Sequence, residues 1–259
     1  MDPRAGFGWS ELSAADPDVA VRFFGRFLGW ERDRHGLAGR TQPIEYSLLT
    51  CRGRNVAGLY PMVAAQRKRG VASQWLSYLF VADVDACAQQ ARALGAELLA
   101  APREVFQLGR MAIVRDPQGA LLGLWQARHL GSEFQARGEA GFVSWQEHVS
   151  DDVPGAARFY AELCGWQARA LPGTGRSLLE GAGGPLAGLS SADLPGGHLA
   201  PQWLTFLRVA DCAAACDELV RLGASLILPP QGAPEAGVFA VARDPQGAAF
   251  GLLTPGAGG

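Results

Sequence analysis

The sequence has 259 residues but little lysine, little net charge and no long apolar run. Lys68 is the only lysine beside 22 arginines, and the formal net charge is −2. A charge this close to zero lacks the positive field by which general nucleic-acid-binding proteins attract phosphates. No segment reaches the roughly 18 apolar residues of a membrane-spanning helix, and the first residues lack the apolar centre of a signal peptide. We therefore expect neither a nucleic-acid partner nor a membrane partner.

Cysteine is also sparse, with five residues and no pair in the CxxC spacing. An odd number of such thiols is typical of a reducing compartment and argues against a disulfide framework. We therefore expect a cytoplasmic protein. Hydrophobic residues make up 48% of the chain and charged residues 19%, a balance that predicts a globular protein with a sizeable core.

What the chain does contain is an internal repeat. Residues 9–30 match residues 145–166 at an offset of 136, with Trp, Glu, Asp and Gly-Trp in common. Further along the offset is 128, and residues 115–120 and 243–248 both read Arg-Asp-Pro-Gln-Gly-Ala. The repeat predicts two homologous domains and a linker, over residues 1–128, 139–259 and 129–138 respectively.

Each half shows the same local pattern of strand, helix and strands, given twice. Asp16-Pro17 predicts a helix N-cap with proline at the first helical position, and Asp83 predicts the cap of a second helix. The segment from Asp116 to Gly119 suits a type I turn between two strands. The sequence thus predicts four βαβββ modules of about 65 residues each.

Several motifs together resemble a known family. They are Phe23-Phe24 with Leu28-Gly29-Trp30, Val81 to Asp85 with Leu94-Gly95, Gly109 to Gly119, and their second-half counterparts such as Phe159-Tyr160 with Gly165-Trp166. The chain resembles the vicinal oxygen chelate superfamily of glyoxalase, bleomycin-resistance and ring-cleaving dioxygenase proteins, and especially its tandem two-domain, glyoxalase-like members. The resemblance implies an α+β fold in which four βαβββ modules pair into two glyoxalase-like domains with incurved mixed sheets. It also implies a monomer with internal domain pairing, with a dimer as the alternative.

The resemblance further locates the metal positions of the family. Members that bind a metal place His or Gln on the first strand of a module and Glu on the last. In this sequence those positions map to residues without a ligating side chain: Trp9, Trp145, Leu76, Leu204, Gly123 and Gly251. A catalytic metal needs about three protein ligands with N, O or S atoms. We therefore expect no metal and no cofactor.

Tryptophan and glutamate stand where the ligands are missing. Because side chains alternate along a strand, Trp9 shares a face with Glu11, and Trp145 shares a face with Glu147. Gly123 and Gly251 are expected to leave space opposite these residues. The residues predicted to line a ligand pocket are Trp9, Trp75, Gly123, Trp125, Trp145, Trp203 and Gly251. His148 is expected to point to the opposite face from Glu147.

These residues leave alternatives open. A strand tryptophan that faces inward can belong to the core, and either glutamate can simply bond to backbone groups or to arginine. The pattern favours a metal-free protein that binds an aromatic or apolar metabolite or antibiotic, as in sequestration or self-resistance. The alternative is a metal-independent isomerase, cyclase or dehydratase of secondary metabolism, with Glu11 or Glu147 as general acid or base. A third reading is a stress-related protein without a specific ligand.

Overall fold

A computed structural model describes residues 6–33, 45–128, 138–233 and 237–256. The elements of the first half are β1 (Gly6–Ala14), α1 (Pro17–Leu28), β2 (Glu31–Asp33), β3 (Ser47–Cys51), β4 (Arg54–Pro61), α2 (Ala64–Lys68), β5 (Gln74–Phe80), α3 (Val84–Ala93), β6 (Glu97–Val105), β7 (Gly109–Arg115) and β8 (Leu121–Ala127). Those of the second half are β9 (Val143–Ser150), α4 (Val153–Cys164), β10 (Gln167–Leu171), β11 (Arg176–Gly181), β12 (Gly184–Ser191), β13 (Asp193–Leu194), β14 (Gly197–His198), β15 (Gln202–Arg208), α5 (Cys212–Arg221), β16 (Ser225–Ala233), β17 (Gly237–Arg243) and β18 (Ala249–Thr254).

Four βαβββ modules are present, as the repeat predicts. They begin at β1, β5, β9 and β15, and each continues through one long helix and three further strands. The short helix α2 follows the first module, and the small β13–β14 hairpin follows the third. The offset has already fallen from 136 to 130 at β3 and β11, where Leu48 corresponds to Leu178, so these two additions account only for the further change to 128.

The modules form two eight-stranded mixed sheets. The strand order is β2-β3-β4-β1-β5-β8-β7-β6 in the first sheet and β10-β11-β12-β9-β15-β18-β17-β16 in the second. The first strand of each module runs parallel to its last strand, and the hairpins between them are antiparallel. The α+β class predicted from the sequence is confirmed.

The helices begin and end where the local sequence predicts. The Asp16 carboxylate accepts hydrogen bonds from the amides of Asp18 and Val19 at 2.9 and 3.2 Å, which caps α1. Gly29 ends this helix in the left-handed region, with φ of 69°, where a side chain would be strained. The equivalent Gly165 ends α4 with the same φ.

Contacts between Cα atoms divide the chain into two compact units that cut across the halves. The first unit is built mainly from the second and third modules, within residues 76–128 and 145–204. The second unit is built from the first and fourth modules, within residues 9–75 and 205–256, together with the segment before β9. The domain boundaries read from the repeat stay a prediction.

Each unit has its own apolar core on the helical side of its strands. In the second unit the Phe24 ring stacks on Trp30 at 5.0 Å and meets Trp75 and Phe250 edge-on at 5.8 and 5.7 Å. The equivalent cluster of the first unit contains Tyr160, Trp166 and Trp203. Trp75 and Trp203 are only 7% and 2% exposed, so both side chains are core residues.

Candidate functional site

The first candidate site lies on β1, on the strand face opposite the core. Leu12 points into the core, whereas Trp9 and Glu11 point the other way and are half-buried. The Tyr46 hydroxyl, just before β3, donates a 2.7 Å hydrogen bond to Glu11 Oε1. Trp9 Nε1 in turn donates to the Tyr46 oxygen at 3.2 Å. An indole, a phenol and a carboxylate are thus joined in one hydrogen-bonded chain.

A second tyrosine completes this group. The rings of Tyr46 and Tyr60 are nearly parallel, with centroids 6.5 Å apart and an interplanar angle of 11°. Gly58 lies opposite Glu11 in the β1–β4 pairing, and a Cβ atom there would collide with the Tyr46 hydroxyl. We call Trp9, Glu11, Tyr46, Gly58 and Tyr60 the Glu11 site; all five lie in the second unit.

Tyr46, Gly58 and Tyr60 are absent from the residues predicted on sequence. The signal that could have found them is the strand register, because residues paired across a sheet share a face. Gly58 pairs with both Glu11 and Leu48, and Tyr46 stands two residues before Leu48. Strand register depends on residues far apart in the sequence, so it cannot be predicted from the residues next to Glu11.

The electrostatics keep both phenols protonated. Burial is the main cause that raises the pKa of Tyr46 well above its ordinary value, and the neighbouring Glu11 carboxylate raises it further. Burial and Glu11 likewise raise the pKa of Tyr60. The site therefore offers protonated phenol groups and the carboxyl group of Glu11 beside aromatic rings.

The second predicted glutamate has different partners. Arg176 donates to Glu147 through two hydrogen bonds, Nε to Oε1 at 2.9 Å and Nη2 to Oε2 at 2.7 Å. Trp145 Nε1 donates a third to Oε2 at 3.1 Å. Glu147 is 2% exposed and lies against Gly188, its partner in the β9–β12 pairing. We call Trp145, Glu147, Arg176 and Gly188 the Glu147 site; it lies in the first unit.

The two glycines expected to leave open space are instead covered by aromatic rings. A Cβ atom at Gly123 would collide with the Tyr78 ring, and one at Gly251 would collide with the Phe206 ring. Each ring belongs to the residue paired with its glycine on the neighbouring strand. The glycines therefore accommodate side chains of the protein itself. Trp125 is half-buried and meets the Tyr78 ring edge-on at 6.5 Å.

His148 points away from Glu147, as predicted, into a buried polar network of the first unit. Its Nε2 lies 2.7 Å from Asp116 Oδ2, which also accepts a 2.8 Å hydrogen bond from the Tyr160 hydroxyl. Trp203 Nε1 donates to the Tyr160 oxygen at 2.8 Å. Asp116, His148 and Trp203 are at most 3% exposed, and Tyr160 is fully buried. This network is separate from the Glu147 site because it lies on the opposite face of β9.

The second unit keeps the acid and the indole of this network but has apolar residues in place of its histidine and tyrosine. By the repeat, Leu12 takes the place of His148, Phe24 that of Tyr160, Asp244 that of Asp116 and Trp75 that of Trp203. Two polar atoms are consequently buried without a hydrogen-bond partner among the described residues, Asp244 Oδ2 and Trp75 Nε1. Burial is the main cause that raises the pKa of the Asp244 carboxyl.

Alkaline titration should show the effect of burial on the tyrosines. Burial raises the pKa of Tyr46, Tyr60 and Tyr160, with Glu11 or Asp116 adding to it, so three of four tyrosines should stay protonated past pH 10 in the folded protein. An unfolded tyrosine ionises near pH 10. Stability from these groups is therefore complete below about pH 10 and is lost as the pH rises toward the folded values. Phenolate absorbance and circular dichroism followed together measure this.

The denatured protein serves as the control for that titration, since all four tyrosines then ionise together. Ionisation of three or four phenols near pH 10 with unchanged circular dichroism would contradict the burial of these hydroxyls.

The positions at which the resemblance places metal ligands do not fit a catalytic metal here. Trp9, Trp145, Gly123 and Gly251 offer no ligating side-chain atom, and rings of Tyr78 and Phe206 cover the two glycines. Within the described parts of the chain, no three His, Cys, Asp or Glu side chains are grouped so as to hold a metal ion. No chemical step is therefore assigned to a metal.

Two family models match the chain in tandem. Residues 6–124 match the Glyoxalase/Bleomycin resistance protein/Dioxygenase superfamily, and residues 147–253 match a glyoxalase-like domain. The chain is 30% identical to "Putative glyoxylase CFP32" of Mycobacterium bovis, over 95% of this chain and 94% of that protein. It is 26% identical to "Anthracycline biosynthesis protein DnrV" of Streptomyces peucetius, over 95% of this chain and 91% of that protein.

Solved structures show the same fold. The Mn(II)-bound glyoxalase from Novosphingobium aromaticivorans superposes with a TM-score of 0.64 at 13% identity, covering 96% of this chain and 81% of that one. The 2,3-dioxygenase LapB from Pseudomonas sp. KL28 gives a TM-score of 0.64 at 11% identity, covering 98% and 94%. Among the helices described, none is long and apolar enough to span a bilayer.

Proposed function

Since the chain belongs to the glyoxalase, bleomycin resistance and dioxygenase superfamily, we propose that it is a metal-free small-molecule-binding protein for a planar aromatic metabolite or antibiotic. The ligand binds at the Glu11 site. The observation that carries this proposal is the stacked pair of Tyr46 and Tyr60 beside the hydrogen-bonded chain from Trp9 to Glu11. Binding without chemical change would sequester the ligand.

The residues of the Glu11 site suit a fused-ring ligand that carries hydroxyl groups. An aromatic contact contributes about 0.5–1.5 kcal/mol beyond the area that it buries. We propose that a ligand hydroxyl donates to the Glu11 carboxyl group in place of the Tyr46 hydroxyl. The name of the Streptomyces peucetius relative, an anthracycline biosynthesis protein, agrees with a ligand of fused aromatic rings.

Replacing Trp9 tests this proposal. The probe is quinizarin, a planar dihydroxyanthraquinone, titrated into the protein by calorimetry. Trp9→Ala removes a ring and the donor to Tyr46, so we expect binding to weaken about 5- to 150-fold, which corresponds to the usual loss of about 1–3 kcal/mol for an anchor residue. Circular dichroism of the variant controls for its folding. No binding of quinizarin by the unmodified protein, or equal binding by the variant, would contradict the proposal.

A metal-independent enzyme is the second candidate, favoured by the 2.7 Å hydrogen bond between Tyr46 and Glu11. A carboxylate held by a phenol can take a proton from a bound substrate, while the phenol stabilises the charge that develops. Incubation of excess quinizarin with catalytic amounts of protein separates the two functions by chromatography and mass spectrometry. An unchanged probe supports binding alone, whereas a new mass or retention time that disappears in Glu11→Gln supports catalysis.

A further inference from the structure

We infer that, of the two Trp–Glu pairs that the repeat provides, only the pair at the Glu11 site binds an aromatic ligand. Four residues decide the difference: Tyr46 and Tyr60 provide the first site, and Arg176 and Ser190 stand in their places on the second sheet. The inference rests on the proposed function, because it assigns that function to the Glu11 site alone.

The strand registers establish which residues correspond. Glu11 pairs with Gly58 across β1 and β4, just as Glu147 pairs with Gly188 across β9 and β12. Gly58 also pairs with Leu48 of β3, just as Gly188 pairs with Leu178 of β11. The residue two positions before each leucine faces the same glutamate, and the residue two positions after each glycine shares that face. Tyr46 therefore corresponds to Arg176, and Tyr60 corresponds to Ser190.

Because Arg176 stands at the position equivalent to Tyr46, Glu147 has a different hydrogen-bond partner from Glu11. Tyr46 is a neutral phenol that donates a hydrogen bond to Glu11 Oε1 and accepts one from the Trp9 indole N–H. Arg176 instead binds both oxygens of Glu147 in a two-pronged ion pair. With the Trp145 indole as well, Glu147 receives three donors. Its acceptor capacity is already used by the protein.

A ligand that displaced Arg176 from Glu147 would lose binding free energy. The side chains of Arg176 and Glu147 are 15% and 3% exposed, so the pair is largely removed from water. A buried carboxylate that loses its cation keeps the cost of its desolvation without the compensating attraction. A ligand hydroxyl is a neutral donor and does not replace the arginine charge. The Glu147 site is thus a structural ion pair.

Ser190 stands at the position equivalent to Tyr60, so the second sheet has less aromatic surface there than the first. The stacked pair of the Glu11 site consists of Tyr46 and Tyr60, and neither ring has a counterpart at Arg176 and Ser190. Of the three aromatic side chains of the Glu11 site, only Trp9 has an equivalent, Trp145. A planar ligand therefore finds three rings at one site and a single ring at the other.

Binding stoichiometry tests the inference. Calorimetry and equilibrium dialysis with quinizarin should give one molecule per chain for the unmodified protein. Trp145→Ala, the matched control for Trp9→Ala, should change the dissociation constant less than about twofold, because its indole contacts an ion pair outside the site. Two equivalent molecules per chain, or equal losses in the two tryptophan variants, would overturn the inference and leave the proposed function standing. No quinizarin binding by the unmodified protein overturns the proposed function and the inference with it.

A gain of binding gives the converse test. The double variant Arg176→Tyr with Ser190→Tyr rebuilds the Glu11 arrangement around Glu147, and we expect the stoichiometry to rise from one to two per chain. Arg169→Ala removes an exposed arginine from β10 and controls for the loss of a positive charge. A folded double variant that still binds one molecule overturns the assignment of these two positions. If the double variant does not fold, the Trp145→Ala comparison decides the inference.

Discussion

Asp116→Ala is expected to lower the free energy of unfolding by about 3–5 kcal/mol, the cost typical of a broken buried polar network. Asp116 Oδ2 accepts from Tyr160 and is paired with His148, while Oδ1 accepts from the amides of Gln118 and Ala120 at 3.0 and 2.9 Å. Alanine leaves these buried donors without an acceptor in the core of the first unit. Urea unfolding followed by tryptophan fluorescence measures the loss, because Trp203 belongs to the network.

The repeat offers a matched control for that variant. Asp244 makes the same turn contacts through Oδ1, with the amides of Gln246 and Ala248 at 2.8 and 2.9 Å. Its Oδ2, however, is buried without a partner among the described residues. Asp244→Ala should therefore cost at least about 2 kcal/mol less than Asp116→Ala, since a lost hydrogen bond to a charged group is worth about 1.5–3 kcal/mol. Equal losses would show that Asp116 contributes only through its turn.

Phe24→Tyr is expected to stabilise the protein by about 2–4 kcal/mol, because one hydroxyl satisfies two buried polar groups. In the first unit the Tyr160 hydroxyl joins Trp203 Nε1 to the Asp116 carboxylate. Phe24 holds the corresponding position beside Trp75 with a similar edge-on geometry, 79° against 78° for Tyr160 and Trp203. The new hydroxyl should accept from Trp75 Nε1 and donate to Asp244 Oδ2. Thermal and urea unfolding measure the gain.

A double variant separates this effect from simple filling of space. Trp75→Phe removes the indole N–H, so adding Phe24→Tyr to it should recover only the hydrogen bond to Asp244. We expect the stabilisation by Phe24→Tyr to fall by about half in that background. The pKa of Asp244, which burial raises, should also move down when the hydroxyl donates to its carboxylate. A loss of stability in Phe24→Tyr would contradict the proposed equivalence of the two cores.

Much of the fold could be read locally. The caps at Asp16 and Asp152, the left-handed glycines after α1 and α4, and the hydrogen-bonded turn from Asp116 to Gly119 depend on residues adjacent in the chain. The family resemblance, drawn from motifs such as Phe23 to Trp30 and Gly109 to Gly119, is also confirmed. Local patterns of this kind are informative because the interactions that cause them span only a few residues.

The candidate site was only partly accessible from sequence. The period of two correctly placed each Trp–Glu pair on one strand face, as the hydrogen bonds of Trp9 and Trp145 show. It could not choose between ligand platform and core for Trp75 and Trp203, which depends on what packs above each strand. Their near-complete burial assigns both to the core. The ligand contacts of Trp9 and Trp125 stay predictions, and so does that of Trp145, which the inference of a single ligand-binding Trp–Glu pair argues against.

The four modules and their helix ends are readable in the sequence, because short-range periodicity, capping and repetition encode them. Which distant residues meet depends instead on the tertiary structure. It paired Tyr46 with Glu11 and Arg176 with Glu147 through strand register, and it joined Gln246 to both backbone groups of Asp16, 230 residues earlier. Such contacts form when strands align and modules from different halves share a core, and no local signal encodes that alignment. Two nearly identical Trp–Glu motifs therefore acquire different chemistry from their partners across the sheet.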